Sequence, residues 1–306
     1  MRIPVQPFCW IAVATFCIAA AQDKPVAHFH HVHLNSTDPE AAIDFYTQHF
    51  DCKKATYHGE DAISTPNSWL LFNKVSSPAP FEVLSAIWHI GWGAEDMPAT
   101  YRRQLDMGTV FQTPITDISG LARSPNFFFA YVDGPGHELI ELNTSNNHRF
   151  GHLHLFSKDP IAAADWYAKN FGVFRTGGPN PSREPRFYKG YQVGPSATVV
   201  MDHINIIIFP IEHVHQAFPD LWKDRTDFVS TKGRVIDHIA FSVDNPAAIR
   251  ERLHQAGVQV DSDGFLEGPD GVRIELVASE PKNSARATLP VRTSGIPATD
   301  SSPRLR

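Results

Sequence analysis

Residues 152–171, HLHLFSKDPIAAADWYAKNF, repeat residues 31–50, HVHLNSTDPEAAIDFYTQHF, with eleven of twenty positions identical and no gap. A chain that repeats itself this closely is built from copies of one supersecondary unit. Both copies read alike. A strand carries His-x-His, so both histidines face one side of it. Asp-Pro then opens a helix, with Asp38 or Asp159 as N-cap and the proline pre-set for the first turn. The buried helix face is Ala42, Phe45 and Tyr46 in one copy, and Ala163, Trp166 and Tyr167 in the other.

Two fainter copies follow the same spacing. His31, His89, His152 and His238 each stand mid-strand, seven residues before Asp38, Asp96, Asp159 and Asn245. The helices after Asp96 and Asn245 end at Gly108 and Gly257, where a helix C-terminus favours glycine. Each half closes on Ile-Glu-Leu, at 140–142 and 274–276. The pattern predicts an α+β fold of four βαβββ modules in two pairs. Each pair forms a cup, a curved mixed or antiparallel sheet with helices outside. The expected domains are 28–145 and 150–279, with the polar, turn-rich stretch Ser145–Phe150 as the seam. Further strands are expected at 54–57, 68–75 and, as one continuous run, 198–209, with 81–84 a short strand or a link. A longer excursion, 172–195, has the place of a lid.

The ends are read differently. Arg2, the apolar run Phe8–Ala20 and the small residues around Ala21 make residues 1–21 a signal peptide, so the protein is expected to be secreted or periplasmic. No membrane association is expected after cleavage. Removing the signal removes Cys9 and Cys17 and leaves Cys52 alone, without an internal disulfide. Residues 281–306 have no apolar period and read as a disordered tail. A formal charge of −6 without a long basic run argues against nucleic acid as a partner.

Sixteen histidines favour metal or acid–base chemistry. Glu141 and Glu275 each lie between large aliphatic residues, and a carboxylate there is costly to bury without a partner. Two histidines and one glutamate per half supply that partner if they share a divalent ion. Such a set leaves open positions and suits Fe(II), while Mn, Zn, Ni or Co also fit. The sets expected from chain order are His152, His238 and Glu275, the preferred site, and His31, His89 and Glu141. His33, His154 and His203 are candidate proton carriers. Tyr188, Tyr191 and Arg186, in the excursion, are candidate substrate contacts.

The segments HVHLNSTDPEAAIDFY, HLHLFSKDPIAAADWY, HIAFSVDNPAAI and GPDGVRIELV resemble the vicinal oxygen chelate superfamily, which includes glyoxalase I, extradiol dioxygenases and the fosfomycin and bleomycin resistance proteins. The resemblance runs from about His28 to Ser279. It implies a cup around a metal held by His31 or His152, His89 or His238, and Glu141 or Glu275. It also implies a small substrate with vicinal oxygens and a dioxygenase-like reaction. A glyoxalase-like lyase or isomerase and a non-enzymatic small-molecule binder are the alternatives. The fourth protein ligand general in glyoxalase I has no acidic counterpart in SWLLFNKV or DHINIIIF, where Asn73, His203 or Asn205 are the available substitutes. The histidine and tyrosine that precede the last glutamate of extradiol dioxygenases are absent too. Four modules in one chain complete both cups in a monomer or in each subunit of a homodimer.

Overall fold

The computed structural model describes residues 26–279. The expected signal peptide and tail lie outside the described residues. The first module is β1 (Ala27–Ser36), α1 (Pro39–His49), β2 (Lys53–Tyr57), β3 (Glu60–Ser64) and β4 (Trp69–Lys74). The second is β5 (Ile87–Ala94), α2 (Met97–Asp106), β6 (Phe111–Asp117), a short α3 (Ser119–Ala122), β7 (Phe128–Asp133) and β8 (Leu139–Thr144). The third is β9 (Phe150–Ser157), α4 (Pro160–Phe171), β10 (Phe174–Arg175), the hairpin β11 (Arg186–Tyr188) and β12 (Tyr191–Gly194), then β13 (Ala197–Met201) and β14 (Ile204–Pro210). Two short helices follow, α5 (Ile211–Ala217) and α6 (Pro219–Trp222). The fourth is β15 (Ile236–Val243), α7 (Pro246–Gln255), β16 (Phe265–Glu267) and β17 (Arg273–Ala278). No helix among the described residues is long and apolar enough to cross a membrane.

The caps form as the sequence dictates. The side chains of Asp38, Asp96, Asp159 and Asn245 accept from the backbone N–H groups of Ala41, Ala99, Ala162 and Ala248 at 3.2, 2.9, 3.0 and 3.0 Å. Each helix therefore has its N-cap seven residues after its strand histidine. Residues 81–84 form a link, the second of the two readings. Two details differ from expectation. The run 198–209 breaks into β13 and β14, because Asp202 turns back with φ 56° and its carboxylate bonds His28 and the Phe29 N–H. The fourth module has three strands, one fewer than modules one and two, with residues 258–264 irregular.

The larger correction concerns pairing. One sheet has the order β16-β17-β15-β1-β4-β3-β2, and the other β10-β13-β14-β9-β5-β8-β7-β6. Modules one and four share the first sheet, which forms a terminal cup. Modules two and three share the second, a central cup. Neighbouring modules in the pairs 28–145 and 150–279 share no sheet. Link length gives the reason. The supposed seam, residues 145–149, is the shortest of the three intermodule links. Five residues reach at most about 17 Å. That length crosses one strand, at about 4.8 Å spacing, and stays in the same sheet. Links 75–86 and 211–235 have the length to change sheets.

Neighbours are joined on the helix side instead. Tyr46 and Phe50 of α1 pack on Trp92 of β5, with ring centroids 5.8 and 4.8 Å apart. Phe171 of α4 packs on Phe241 of β15 at 4.9 Å. Tyr46 also donates to Glu138 at 2.5 Å, in a fully buried contact between modules one and two. Phe29 of β1 meets Phe150 of β9 at 6.1 Å, so one apolar core runs through all four modules.

Candidate metal centre

In the terminal cup β1 runs antiparallel to β15, with His33 opposite His238 and His31 opposite Ala240. β17 runs parallel to β15 and places Glu275 beside Ala240. Three donor atoms therefore converge. His31 Nε2 lies 3.3 Å from His238 Nε2 and 3.3 Å from Glu275 Oε2, and His238 Nε2 lies 3.2 Å from Glu275 Oε2. His33 stands two residues further along the same face, its ring 4.6 Å from that of His238.

Two β-bulges shape this site. Phe29 pairs with Phe241 and His31 with Ala240, which leaves His30 as an extra residue on β1. His33 pairs with His238 and Leu34 with Ile236, which leaves Asp237 extra on β15. A bulge re-aims the side chain it carries. Asp237 Oδ1 thus meets His238 Nδ1 at 2.6 Å, and His30 Nδ1 meets His31 Nδ1 at 2.8 Å.

Ligation requires neutral imidazole and ionised carboxylate; His31 and Glu275 lean that way, while His238 leans towards its protonated form and must release a proton to bind an ion. Burial pushes His31 below the ordinary histidine range, with Glu275 pulling the other way. Burial also opposes a charge on His238, but Asp237 and Glu275 outweigh it and raise that group. Glu275 is held well below the usual carboxylate range: burial works against this, and bonds from His238 and His31 prevail. Burial takes His33 down to about 3 and His30 to about 4.

The central cup repeats the register. His154 lies opposite His89 and His152 opposite Gly91, while Glu141 pairs with Gly91. His89 Nε2 is 2.9 Å from Glu141 Oε2, and His152 Nε2 is 3.7 Å from Glu141 Oε1. The 2.9 Å contact is close but off the line a hydrogen bond needs, and the Nε2 atoms of His89, His152 and His154 are buried without a hydrogen-bond partner. Burial pushes His152 to about 4 and His154 well below the ordinary histidine range. Glu141 is held low: burial opposes this, and His152 and His89 overcome it. This cup is closed. Trp88 stacks on Phe156 at 4.8 Å, and His213 of α5, bonded to the Gln192 carbonyl at 3.1 Å, stacks on Phe156 and on Tyr191.

The donor sets expected from chain order are therefore regrouped. All six residues line cups, but His31 belongs with His238 and Glu275, and His152 with His89 and Glu141. The preferred trio His152, His238 and Glu275 is not a trio. Crosswise sheet pairing is the cause.

Residue chemistry tests whether a divalent ion fits. Three ligands about 2.0–2.2 Å from one ion stand roughly 3–3.5 Å apart. The terminal trio has sides of 3.2–3.3 Å. The trio fits. The place of a fourth protein donor follows from register. Glu275 pairs two residues beyond His238, and the corresponding partner two residues beyond His31 is Leu71. In the central cup it is Ile207, opposite His154. Asn73 bonds Asn35 at 3.0 Å instead, and Asn205 is exposed. Aliphatic side chains thus stand where a fourth donor was sought.

The remaining candidates scatter. His203 sits in the β13–β14 turn, 3.4 Å from Asn67, away from both donor sets. Tyr188, Tyr191 and Arg186 lie on the β11–β12 hairpin. Tyr188 and Tyr191 help to close the central cup, so the excursion covers that cup and not the terminal one. Asp237 and His30 were missed, although each adjoins a donor in sequence. Comparing IDHIAF with IWHIGW shows an acid in one copy where the other has tryptophan.

Residues 28–142 match the family model of the Glyoxalase/Bleomycin resistance protein/Dioxygenase superfamily, and residues 234–296 match that of SlpA domain II. No curated protein matches the chain. A point mutant of glyoxalase I from Zea mays superposes with a TM-score of 0.60 at 13% identity, over 83% of this chain and 93% of that one. Glyoxalase I from Zea mays itself gives 0.58 at 13%, over 83% and 93%. A putative dioxygenase from Bacillus subtilis subsp. subtilis str. 168 gives 0.57 at 13%, over 84% and 87%. At these identities the likeness is one of fold.

Proposed function

We propose that this chain, whose residues 28–142 form part of a Glyoxalase/Bleomycin resistance protein/Dioxygenase superfamily fold, is a metalloenzyme that works in its terminal cup. His31, His238 and Glu275 hold one divalent ion, with Fe(II) as first choice. The converging triangle of 3.2–3.3 Å is the observation that carries the reading. Two histidines and one carboxylate with open positions suit Fe(II). The ion supplies Lewis acidity to a small substrate with vicinal oxygens, and with iron a place for O₂.

The protein's own residues orient and protect. Trp69 and Leu71 of β4 and Phe265 of β16 share the face of the donors, with Phe265 5.0 Å from His238. They wall the site with apolar surface. His33, on the face of the donors with its ring 4.6 Å from that of His238, is the side chain placed to contact the substrate. A dioxygenase-type reaction is preferred to a glyoxalase-type one because Leu71 stands where a fourth donor would be. The apolar run 8–20 supports export, away from the reducing cytosol.

Metal content and oxygen uptake test the reading. Protein purified without oxygen should hold about one ion per chain, lost in His238→Ala and kept in His89→Ala. Candidate catechols should then drive O₂ consumption. Ion loss in His89→Ala alone would move the centre to the other cup. Turnover of an α-hydroxycarbonyl without O₂ would favour the glyoxalase-type reaction.

A further inference from the structure

The two cups differ less in their donors than in what stands behind them. Each cup has two bulges, at matching places. In the terminal cup they carry His30 and Asp237. In the central cup, Ile87 pairs with Leu155 and His89 with His154, leaving Trp88 extra, while Gly91 pairs with His152 and Trp92 with Phe150, leaving Gly151 extra. The matched positions are thus Asp237 against Trp88, and His30 against Gly151.

This matters for a ligand. An imidazole that offers its Nε2 lone pair carries its proton on Nδ1, and a buried N–H needs an acceptor. Asp237 Oδ1 supplies one to His238 at 2.6 Å. Asp237 cannot swing away, because the Arg273 guanidinium holds it at 2.6 Å, the Gly233 N–H at 2.6 Å and the Asn35 amide at 3.4 Å. His30 stands in the same relation to His31. In the central cup His89 Nδ1 is buried and has no hydrogen-bond partner, and neither has the indole Nε1 of Trp88. An ion bound to His89 would fix that Nδ1 proton in place with nothing to accept it.

We propose that the bulge residues, more than the donors, decide which cup takes the ion. Asp237 is the positioning residue of His238 and His30 that of His31, and the central cup, with Trp88 and Gly151 in their places, is not a working ion site. The inference rests on the reading of the terminal cup as the metal centre.

The test is titration of the metal-free protein with Co(II), whose visible absorption reports the donor geometry, beside thermal melting of the metal-free variants. Wild type and His89→Ala should bind one ion with the same Kd. Asp237→Asn keeps the side-chain volume and removes the charge. It should raise Kd by about 10–100-fold when titrated below the metal-free melting temperature, which itself falls because Arg273 loses its ion pair. His30→Ala, at a half-buried position, gives a second, independent loss of affinity. A Kd for Asp237→Asn within two-fold of wild type overturns the proposal. So does a second ion of equal affinity that disappears in His89→Ala. No Co(II) bound by wild type, or binding that survives His238→Ala, overturns instead the reading of the terminal cup.

Discussion

Gly91 owes its place to a neighbour. A Cβ built there would lie 1.9 Å from Cε1 of His152, so the imidazole rests flat against bare backbone. Its counterpart in the terminal cup is Ala240, where the same space holds a methyl group. Gly91→Ala should therefore force the His152 ring aside and cost about 1–3 kcal/mol in urea unfolding. It should leave ion affinity unchanged, since His152 is not a terminal-cup donor. A weakened ion site in this variant would argue against the division between cups. Glu138 gives a second residue-scale prediction. Burial raises its carboxyl group above the ordinary range, against the opposing bonds from Tyr46 and the Gly136 N–H. The folded state thus binds this proton more tightly than the unfolded one. Its contribution is complete below the unfolded pKa and is lost as pH rises through the folded value. Melting temperatures of Glu138→Gln and wild type should diverge as pH rises through that window, with the variant losing less. A constant gap across the range would contradict the assignment. The donors themselves were legible as residues, because a histidine seven positions before an Asx-Pro or Asx-x-Pro helix start recurs four times. Their grouping was not, since nothing local to His31 names His238 as its partner.

Helix starts are the elements most fully written in the sequence. The four Asx caps all close on the N–H three residues ahead, and each is followed by a proline, directly or, for Asp96, after one residue. Asn245→Ala should cost about 1 kcal/mol, and Asn245→Gly only a few tenths. Equal losses in the two variants, measured by thermal melting, would mean that the side-chain bond to Ala248 contributes nothing. Strands were read less well, for identifiable reasons. β3, with the sequence EDAIS, opens on two acids and buries only Ala62 and Ile63. Its apolar signal is too short to stand apart from a loop. The β13–β14 turn hides inside a run whose flanks are all β-prone, and only the left-handed Asp202 betrays it. Bulges are invisible to periodicity, because one extra residue shifts the pattern without breaking it. That is why Asp237 escaped notice although it adjoins a donor.

At the scale of the whole molecule, sheets couple module one to four and two to three, while helix-side cores couple one to two and three to four. Each module is thus tied to two others by different surfaces, and no cut through the chain separates two independent halves. The first donor and the last, His31 and Glu275, come from opposite ends of the described chain, so an ion held between them closes the ring that β1 and β15 already form. An ion that binds only the folded state stabilises it by about 2.7 kcal/mol at one hundred times its Kd. Calorimetry should show a single transition for the metal-free protein, moving upward as one when the ion is added. Two autonomous halves would melt separately, and only the half holding the ion would shift. The expected shift should vanish equally in His31→Ala and Glu275→Ala, although these residues lie in different sequence halves. Two resolved transitions, or a shift that survives either substitution, would show that the cup does not join the ends of the chain as the sheet order requires.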